Sequence, residues 1–577
     1  MKFKIPRKVV AVILISAVAA AGTFSVLSYI DSSVAIEVDS IQMIDDYQIQ
    51  TGNGLDVLKW NINPLCIASD EFAAAQQPRG IQFWQYINDT ARNVFRYARL
   101  HNIFTSSEGD RRGASNAGGD VVIDNGDGTY SYDWTRVDNL FDTIVSCNIT
   151  PLVELGFMPK VLSSQPNEEP ERHIPENWDG WTDLIHALLV HLEGRYTLNA
   201  MKTWRFEVWN EPDAGSFWND GIDAYCDLYN HTANKIRDYN ADLIVGGPGI
   251  ANDMDEFRIF LEYCTTHNSP LDFISFHTKG SDGEGMFPKH RHLLDRMENY
   301  FMILGDFPEF DQNSNPDMEY ICTEADPIVG SHRNKFDKPK FRFRDNNYYS
   351  AWFSHTLINL VQLQIEYNYS LHGLFSHNIL FPWEAKSFYG TRGFLTPLFK
   401  EGTPIDTAIP EDMPLPECDA VVGKPIFIVA QLIDQIPHGS RLLDVEVNGY
   451  ASDTGKVKCL AFNCTDGIYR LLISHHDRND YFSRSRTAAL NIQLGSQYTG
   501  TRVTVDEYRV DNTLNNAFTL YKSYGAPDYV TETQISALQQ EANLSRTASY
   551  EGTVSDSVLE LNMELTRATT ILVEIMP

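Results

Sequence analysis

Short apolar runs alternate with longer amphipathic stretches through the first two thirds of the chain. Eight such runs fall at residues 57–66, 94–104, 150–157, 204–211, 243–250, 271–279, 318–326 and 373–382. Between them lie stretches with apolar residues at helical spacing, such as 181–192, 222–238, 254–267 and 348–366. Alternation of strands and helices is typical of a parallel sheet, and eight strands in this order predict an α/β fold, a (β/α)₈ TIM barrel.

The pattern changes after residue 403. A proline-rich loop at 405–416 is followed by runs of period two at 442–447, 456–463, 469–475, 488–493, 502–510, 557–565 and 570–575. This alternation predicts a C-terminal antiparallel β-sandwich, and residues 33–42 also alternate. We therefore predict a barrel at 51–403 and a sandwich at 404–577, with 31–50 as a linker or a further sandwich strand.

The N-terminus has the pattern of an export signal. Four basic residues within positions 2–8 precede an uncharged apolar run at 9–30. We expect segment 1–30 to be an uncleaved membrane anchor, because a run of about 20 apolar residues can span a bilayer. The alternative is a secretory signal peptide cleaved near residues 19–21. Either reading places the body of the protein outside the cytoplasm.

The composition excludes several classes of protein. With 43% hydrophobic and 21% charged residues, the chain is neither disordered nor fibrous. A net charge of −31 disfavours nucleic acid as a partner. The sequence has no phosphate-binding glycine loop, dinucleotide fingerprint or zinc-binding cysteine spacing, so we expect no cofactor and no metal. Of eight cysteines, we expect most to be buried thiols, with Cys459 and Cys464 close enough in sequence for a local disulfide.

Polar residues gather at the far ends of the apolar runs. They are Arg99, His101, Glu154, Asn210, Glu211, His277, Lys279, Glu324 and Asp326. In a (β/α)₈ barrel the active site lies at the C-terminal ends of the strands, so these side chains are expected to meet there.

Two of these residues suggest a reaction. Glu211 ends the fourth run in the motif Trp-Asn-Glu-Pro, and Glu324 ends the seventh. Strands four and seven face each other across such a barrel. Two carboxylates there suit glycoside hydrolysis, which needs an acid at the leaving oxygen and a second carboxylate at the anomeric carbon. Asn210 is placed to bind a sugar hydroxyl beside that carbon.

The motifs around these residues resemble glycoside hydrolase family 39. The matching segments are residues 97–104, 153–159, 206–213, 245–249, 274–280 and 323–330, and the tail from 506 to 542 resembles the family's sandwich domain. The resemblance implies that Glu211 is the acid/base and Glu324 the nucleophile of a retaining exo-glycosidase. It adds Arg99, His101 and His277 as substrate-binding residues and an oligosaccharide or polysaccharide as the partner.

The best-known activities of this family, β-xylosidase and α-L-iduronidase, differ in the sugar at C5, where only iduronate carries a carboxylate. Binding a carboxylate in a dry pocket requires cationic or amide donors. Lys279, the backbone amide of Gly330 and Arg392 resemble the iduronidase arrangement. We therefore predict an α-L-iduronide or a related uronic-acid glycoside as substrate.

Other features leave alternatives open. Residues 153–159 resemble the xylosidase branch, and Glu384 is only a stand-in for the Asn-Asp pair that iduronidases carry after strand eight. A β-xylosidase acting on neutral xylosides is therefore the alternative. A catalytically inactive carbohydrate-binding relative is a further one. The basic stretch 332–344 would lie near the mouth, where it could attract an anionic polysaccharide or form a solvated loop.

Overall fold

The computed structural model describes residues 46–51, 65–69, 78–91, 94–105, 120–279, 290–326, 343–377, 386–391, 393–405, 416–448, 456–477 and 485–577. In these ranges the strands are β1 (Asp46–Thr51), β2 (Leu65–Ser69), β3 (Tyr97–Leu100), β4 (Val122–Asp124), β5 (Tyr130–Tyr132), β6 (Thr150–Leu155), β7 (Arg205–Val208), β8 (Ile244–Ile250), β9 (Phe273–Lys279), β10 (Glu319–Asp326), β11 (Leu371–His377), β12 (Leu395–Leu398), β13 (Ala420–Gly423), β14 (Arg441–Leu443), β15 (Val445–Asn448), β16 (Val457–Asn463), β17 (Tyr469–His475), β18 (Arg486–Gln493), β19 (Arg502–Val510), β20 (Ala548–Ser555), β21 (Val558–Leu565) and β22 (Thr569–Met576). The helices are α1 (Pro78–Thr90), α2 (Thr135–Ser146), α3 (Trp178–Tyr196), α4 (Leu198–Met201), α5 (Gly221–Tyr239), α6 (Met254–His267), α7 (His290–Leu304), α8 (Asn347–Tyr367), α9 (Pro425–Asp434), α10 (Ala517–Ser523) and α11 (Glu532–Glu541).

Eight parallel strands close into a barrel in the order β2, β3, β6, β7, β8, β9, β10 and β11, with β11 pairing back to β2. The predicted TIM barrel is confirmed. The described part of the first barrel strand, β2, begins at residue 65, within the run predicted at 57–66, and residues 57–64 lie outside the described residues.

The barrel interior is packed at the end opposite the strand C-termini. Tyr97, Leu152, Phe273 and Ile321 form a buried apolar cluster contributed by four strands. This layer closes that end, as expected of a barrel that is a packed core rather than a pore. The mouth of the barrel is therefore at the other end, where the strand C-termini lie.

The eighth helix of the ring lies beyond the boundary predicted at residue 403. Helix α9 packs beside α8 and α1, and the Phe427 ring lies 5.6 Å from that of Tyr86. The side-chain amide of Gln431 donates to the carbonyl of Thr90 at 2.8 Å. The proline-rich segment at 405–416 therefore falls between strand eight and helix eight, so the change of sequence pattern does not coincide with the end of the barrel.

The C-terminal strands form two antiparallel layers joined by β20, which pairs with β19 in one layer and β21 in the other. The buried faces of both layers meet in one apolar core. The sequence missed β20 because its residues are mostly exposed and polar, so its pairing depends on its two neighbours. Strand β1 inserts between β18 and β15, and the strand predicted at 33–42 lies outside the described residues.

Helix α8 joins the two parts of the molecule. It is buried along most of its length and contacts strands β16, β17 and β22 of the sandwich. The Ser354 hydroxyl lies 2.7 Å from that of Thr570 and 3.0 Å from that of Ser474. A helix apolar on nearly all sides is expected where a second layer covers its outer face.

The cysteines whose side chains are described are buried free thiols. Cys459 lies on extended β16 and Cys464 follows its end, so about 16 Å of extended chain separates them. A disulfide bridges α-carbons less than about 7 Å apart, so the local disulfide considered for this pair does not form. Segment 1–30 lies outside the described residues, and no helix within the described part is long and apolar enough to cross a membrane.

Candidate active site

The C-terminal ends of five barrel strands bring polar side chains into one buried cluster. Arg99 comes from β3, Glu154 from β6, Glu207 from β7, His277 from β9 and Glu324 from β10. Asn210 and Glu211 follow β7 directly. Parallel strands place their carboxyl ends at the same mouth, so residues distant in sequence become neighbours here.

Arg99 is the centre of this cluster. Its Nε donates to Glu207 Oε2 at 2.6 Å, and its Nη1 donates to Glu324 Oε1 at 3.2 Å. Its Nη2 lies 2.9 Å from Asn210 Oδ1 and 2.8 Å from Glu154 Oε2. Burial alone lowers the pKa of Arg99, but the charges of Glu207, Glu154 and Glu324 raise it above its ordinary value. The guanidinium therefore stays charged.

Glu211 and Glu324 face each other with His277 between them. One oxygen of each carboxylate and one imidazole nitrogen all lie within 4.8 Å of one another. His277 Nδ1 is 2.8 Å from Glu211 Oε1 and 3.8 Å from Glu324 Oε2. The Glu211 side chain is 15% exposed and that of Glu324 is 5% exposed, so Glu211 is nearer to solvent.

Two β-bulges shape the mouth on either side of β9. Strand pairing shifts register at Gly249 in β8 and at Thr323 in β10, and each bulge adds one residue before the strand ends. Gly249 has φ of +61°, and its carbonyl accepts a hydrogen bond from the amide of Glu211. A bulge re-aims the side chains that follow it, so the bulge at Thr323 directs Glu324, whereas Gly249 helps to place Glu211 through the hydrogen bond to its amide.

Several buried groups at the site have no hydrogen-bond partner within the described part of the chain. They include Nδ2 of Asn210, Nε2 of His277 and Oε1 of Glu207. Buried polar groups are normally paired, so unpaired ones at a mouth indicate where a polar ligand binds. A sugar supplies hydroxyl groups of the required kind.

An apolar wall stands beside this polar cluster. The rings of Phe157 and Phe217 stack with centroids 5.6 Å apart, and His101 meets Phe157 edge-on at 5.2 Å. His101 Nδ1 lies 2.7 Å from Glu154 Oε2, which orients its ring. A pocket with one apolar wall and convergent polar groups suits a sugar ring.

Comparisons with known proteins agree with this geometry. The model of the glycosyl hydrolases family 39 matches residues 118–554, more than half of the chain. A β-xylosidase of Geobacillus stearothermophilus is 33% identical over 235 residues, which are 39% of this chain and 44% of that protein. A β-xylosidase of Caldicellulosiruptor saccharolyticus is 24% identical over 459 residues, covering 77% of this chain and 83% of that protein.

The chain belongs to glycosyl hydrolase family 39.

A solved structure supports the same fold for this family 39 member. The crystal structure of the bacterial orthologue of human α-L-iduronidase superposes with a TM-score of 0.70 at 18% identity, covering 93% of this chain and 84% of that one. The predictions of the family and of a glycosidase are confirmed by these comparisons.

The structure brings six of the predicted site residues together: Arg99, His101, Asn210, Glu211, His277 and Glu324. Lys279 ends β9, two residues beyond His277, and its side chain is outside the description. Gly330, Glu384 and Arg392 lie outside the described residues, as does most of the basic stretch. Its last residue, Arg344, is buried and donates to the carbonyl of Gly390, so it cannot meet a polysaccharide.

Sequence reasoning assigned no role to two residues that shape this site. Glu207 is a fully buried carboxylate on Arg99, and Asp213 accepts hydrogen bonds from the amides of Ala251, Asn252 and Asp253. Asp213 therefore ties the loop after β7 to the loop after β8. The signal for Glu207 was a charged residue inside an apolar strand, since such residues are seldom buried without a partner.

Glu211, His277 and Glu324 are also donors that a cation can use. However, the guanidinium of Arg99 already lies 3.2 Å from Glu324, and a second cation there would be repelled by it. The residues therefore give no reason to invoke a metal in this family 39 enzyme. That the enzyme needs no metal remains a prediction.

Proposed function

We propose that this protein is a retaining exo-glycosidase in which Glu324 is the nucleophile and Glu211 the acid/base. The supporting observation is the separation of at most 4.8 Å between their nearest carboxylate oxygens. Retaining enzymes hold their two carboxyl groups about 5–5.5 Å apart, whereas inverting enzymes leave about 6.5–9.5 Å for a water molecule.

The reaction has two displacements. In the first, Glu324 attacks the anomeric carbon, the bond to the leaving oxygen breaks, and Glu211 gives that oxygen its proton. In the second, Glu211 takes a proton from water, the water oxygen bonds to the anomeric carbon, and the carboxylate of Glu324 is released. The sugar leaves with its original anomeric configuration.

The surroundings of the two glutamates support this division of roles. Glu324 is more deeply buried and accepts from Arg99, whose positive charge favours an ionised nucleophile. Glu211 is nearer to solvent and contacts His277, so it can exchange a proton with an entering water. Each glutamate thus has the neighbours that its role requires.

For the sugar, we propose an α-L-iduronide or a related uronic-acid glycoside. Lys279 lies two residues after His277 on β9, and alternate residues of a strand belong to the same face. A lysine at that position, beside a pocket already lined with hydroxyl-binding groups, is suited to a carboxylate at C5 of the substrate. A neutral sugar makes no use of such a charge.

The second candidate is a β-xylosidase acting on neutral xylosides. Both relatives described above are named β-xylosidases. In addition, strand pairing sets Lys279 opposite Asp326, which is compatible with a structural ion pair instead of substrate binding. The two candidates share the same glutamates and differ only at C5.

A panel of four aryl glycosides tests the proposal: β-D-xyloside, α-L-iduronide, β-D-glucuronide and α-L-arabinoside. We expect the highest kcat/KM on the iduronide or the glucuronide, with release of a product of retained configuration. The highest value on the xyloside would put the second candidate first. No turnover on any of the four would favour an inactive carbohydrate-binding protein.

We also propose that the enzyme works outside the cytoplasm, on the strength of the apolar run at 9–30. Fractionation of the producing cells, with N-terminal sequencing of the mature protein, tests this. Recovery of the full-length chain in the cytoplasm would contradict it.

A further inference from the structure

A third carboxylate lies directly beneath the catalytic pair. Glu207 is on β7, four residues before Glu211, and it is fully buried. Its Oε2 lies 2.6 Å from Nε of Arg99, which is closer than the 3.2 Å between Arg99 and Glu324. Its Oε1 has no hydrogen-bond partner among the described residues. Burying a carboxylate with one unpaired oxygen costs free energy, so the presence of Glu207 at this position requires a physical explanation.

The surrounding backbone makes room for this side chain. A Cβ at Gly249 would lie 3.2 Å from Oε1 of Glu207, closer than most real Cβ contacts. Gly249 is also the bulge residue of β8 and has a positive φ, so another residue would be strained there. Across the sheet, Glu207 pairs in register with Glu154, the other carboxylate on Arg99.

Arg99 is therefore shared among three carboxylates. Glu207 takes Nε, Glu154 takes Nη2 and Glu324 takes Nη1. The other described charged or titratable groups nearby include Glu211 at the end of β7, His277 from β9, and His101, which contacts Glu154. Tyr225 of α5, which the charge of Glu207 reaches, and Cys322, whose Sγ lies 3.4 Å from the carbonyl oxygen of Glu324, are also close. Three carboxylates around one guanidinium carry an excess of negative charge, so the share of Arg99 that each receives affects its ionisation.

The charge of Glu324 disappears during the reaction, because the carboxylate becomes an ester with the sugar. An arginine paired only with Glu324 would stabilise the free enzyme and lose that partner in the intermediate, which would raise the barrier. An arginine held at Nε by a second carboxylate keeps a negative partner in the free enzyme and in the covalent intermediate.

Building on the proposed roles of Glu211 and Glu324, we propose that Glu207 is a positioning residue for the nucleophile. It holds the guanidinium of Arg99, limits how strongly Arg99 stabilises the negative charge of Glu324, and neutralises Arg99 once that charge is consumed.

The variant Glu207→Gln tests this, since it keeps the shape of the side chain and removes its charge. Arg99 should then interact more strongly with Glu324. The carboxylate of Glu324 should ionise more readily and be a weaker nucleophile. At low pH, kcat/KM falls as the nucleophile becomes protonated, and we call this part of the pH profile the acid limb. We expect the acid limb to move to lower pH by about one unit. We expect the plateau of kcat/KM on an activated aryl glycoside to fall roughly 10- to 100-fold.

Two further variants separate positioning from simple support of the fold. Glu319→Gln removes a carboxylate from Arg205 at the opposite end of the barrel and should leave the acid limb where it is. Glu207→Asp keeps the charge, so its acid limb should stay within a few tenths of a unit of the wild type even if stability falls. A limb shifted in Glu207→Asp as far as in Glu207→Gln would overturn the proposal.

The outcomes also distinguish this inference from the proposed function. An active wild type with an unmoved acid limb in Glu207→Gln would overturn only the role of Glu207, whatever the loss of rate. An inactive wild type on all four aryl glycosides would overturn the proposed function and the inference with it. If Glu207→Gln does not fold, a limb moved by about one pH unit in Glu207→Asp, which retains the charge, would overturn the proposal.

Discussion

The two ends of the barrel each hold a buried arginine paired with at least one carboxylate, yet they differ in how completely the polar groups around it are paired. At the closed end, Arg205 Nε lies 2.9 Å from Glu319 Oε2, and its Nη1 donates to the carbonyl of Thr203. Its guanidinium also lies 5.0 Å from the ring centre of Tyr97, whose hydroxyl is 2.9 Å from His372 Nε2. None of these side chains has a buried polar atom without a partner.

At the open end, the arrangement around Arg99 leaves Asn210 Nδ2, His277 Nε2 and Glu207 Oε1 unpaired. Both ends combine arginine, glutamate and histidine side chains, but the Glu319 side chain is 22% exposed, whereas those of Glu154 and Glu207 are fully buried. The difference is that one network is complete by itself, whereas the other needs a ligand to complete it. A buried arginine with carboxylates therefore indicates function only when some polar groups at the site remain unsatisfied.

The largest expected effect is that of Glu324→Gln at the open end. Removing the nucleophile should abolish formation of the covalent intermediate and lower kcat/KM by on the order of 10⁴-fold or more. Stability should change little or rise, because the variant relieves an excess of buried negative charge. Kinetics on the best aryl glycoside and a thermal melt measure the two effects. A variant that kept substantial activity would contradict the role of Glu324.

Glu211→Ala should have the next largest effect, and it should depend on the leaving group. General acid catalysis contributes about 10²- to 10⁴-fold, so poor leaving groups should lose most of their turnover while activated ones keep part of it. Added azide should restore turnover and give a glycosyl azide of retained configuration. Rescue of Glu324→Ala instead of Glu211→Ala would reverse the two roles.

Lys279→Met should separate the two substrate candidates. A lost charge-assisted contact with a substrate carboxylate costs about 2–4 kcal/mol, or roughly 30- to 1,000-fold in kcat/KM on a uronide. The same variant should change kcat/KM on a neutral xyloside little. Equal losses on both substrates would make Lys279 a structural partner of Asp326 and favour the xylosidase.

The smallest expected effect concerns stability at the closed end and its dependence on pH. Burial lowers the pKa of His372 to about 4, against the opposing charge of Glu319 and with help from Arg205 and Arg96. Between about pH 6.5 and 4 the unfolded chain binds a proton that the folded one does not. Stability should therefore fall by up to about 3 kcal/mol as the pH drops through this window.

His372→Gln should remove this part of the acid sensitivity. Urea unfolding at pH 7, 5.5 and 4.5 measures the free energy of unfolding for the variant and the wild type, and the gap between them should change with pH. The exposed His267→Gln is the matched control and should run parallel to the wild type. If the free energy of unfolding of His372→Gln also stayed parallel to that of the wild type as the pH fell, the protonation of His372 would not contribute to the acid sensitivity of the fold.

Much of this architecture is determined by local sequence. Strand β9 is buried along nearly all of its described length, and the alternation of such runs with amphipathic helices predicted the barrel without any contact information. The site residues at strand ends were found for the same reason, because a parallel barrel brings all its C-terminal strand ends to one mouth. Asn210 and Glu211 were recognisable because they directly end a buried strand.

Only the tertiary structure decided how these residues are coupled. The role of Glu207 depends on its neighbours Arg99, Glu154 and Gly249, which come from three other strands. The placement of α9 in the barrel ring and of β1 in the sandwich likewise rests on partners far along the chain. Local sequence encodes periodicity and burial, whereas the sharing of one buried charge among several carboxylates depends on distances that exist only after the strands have closed into a barrel.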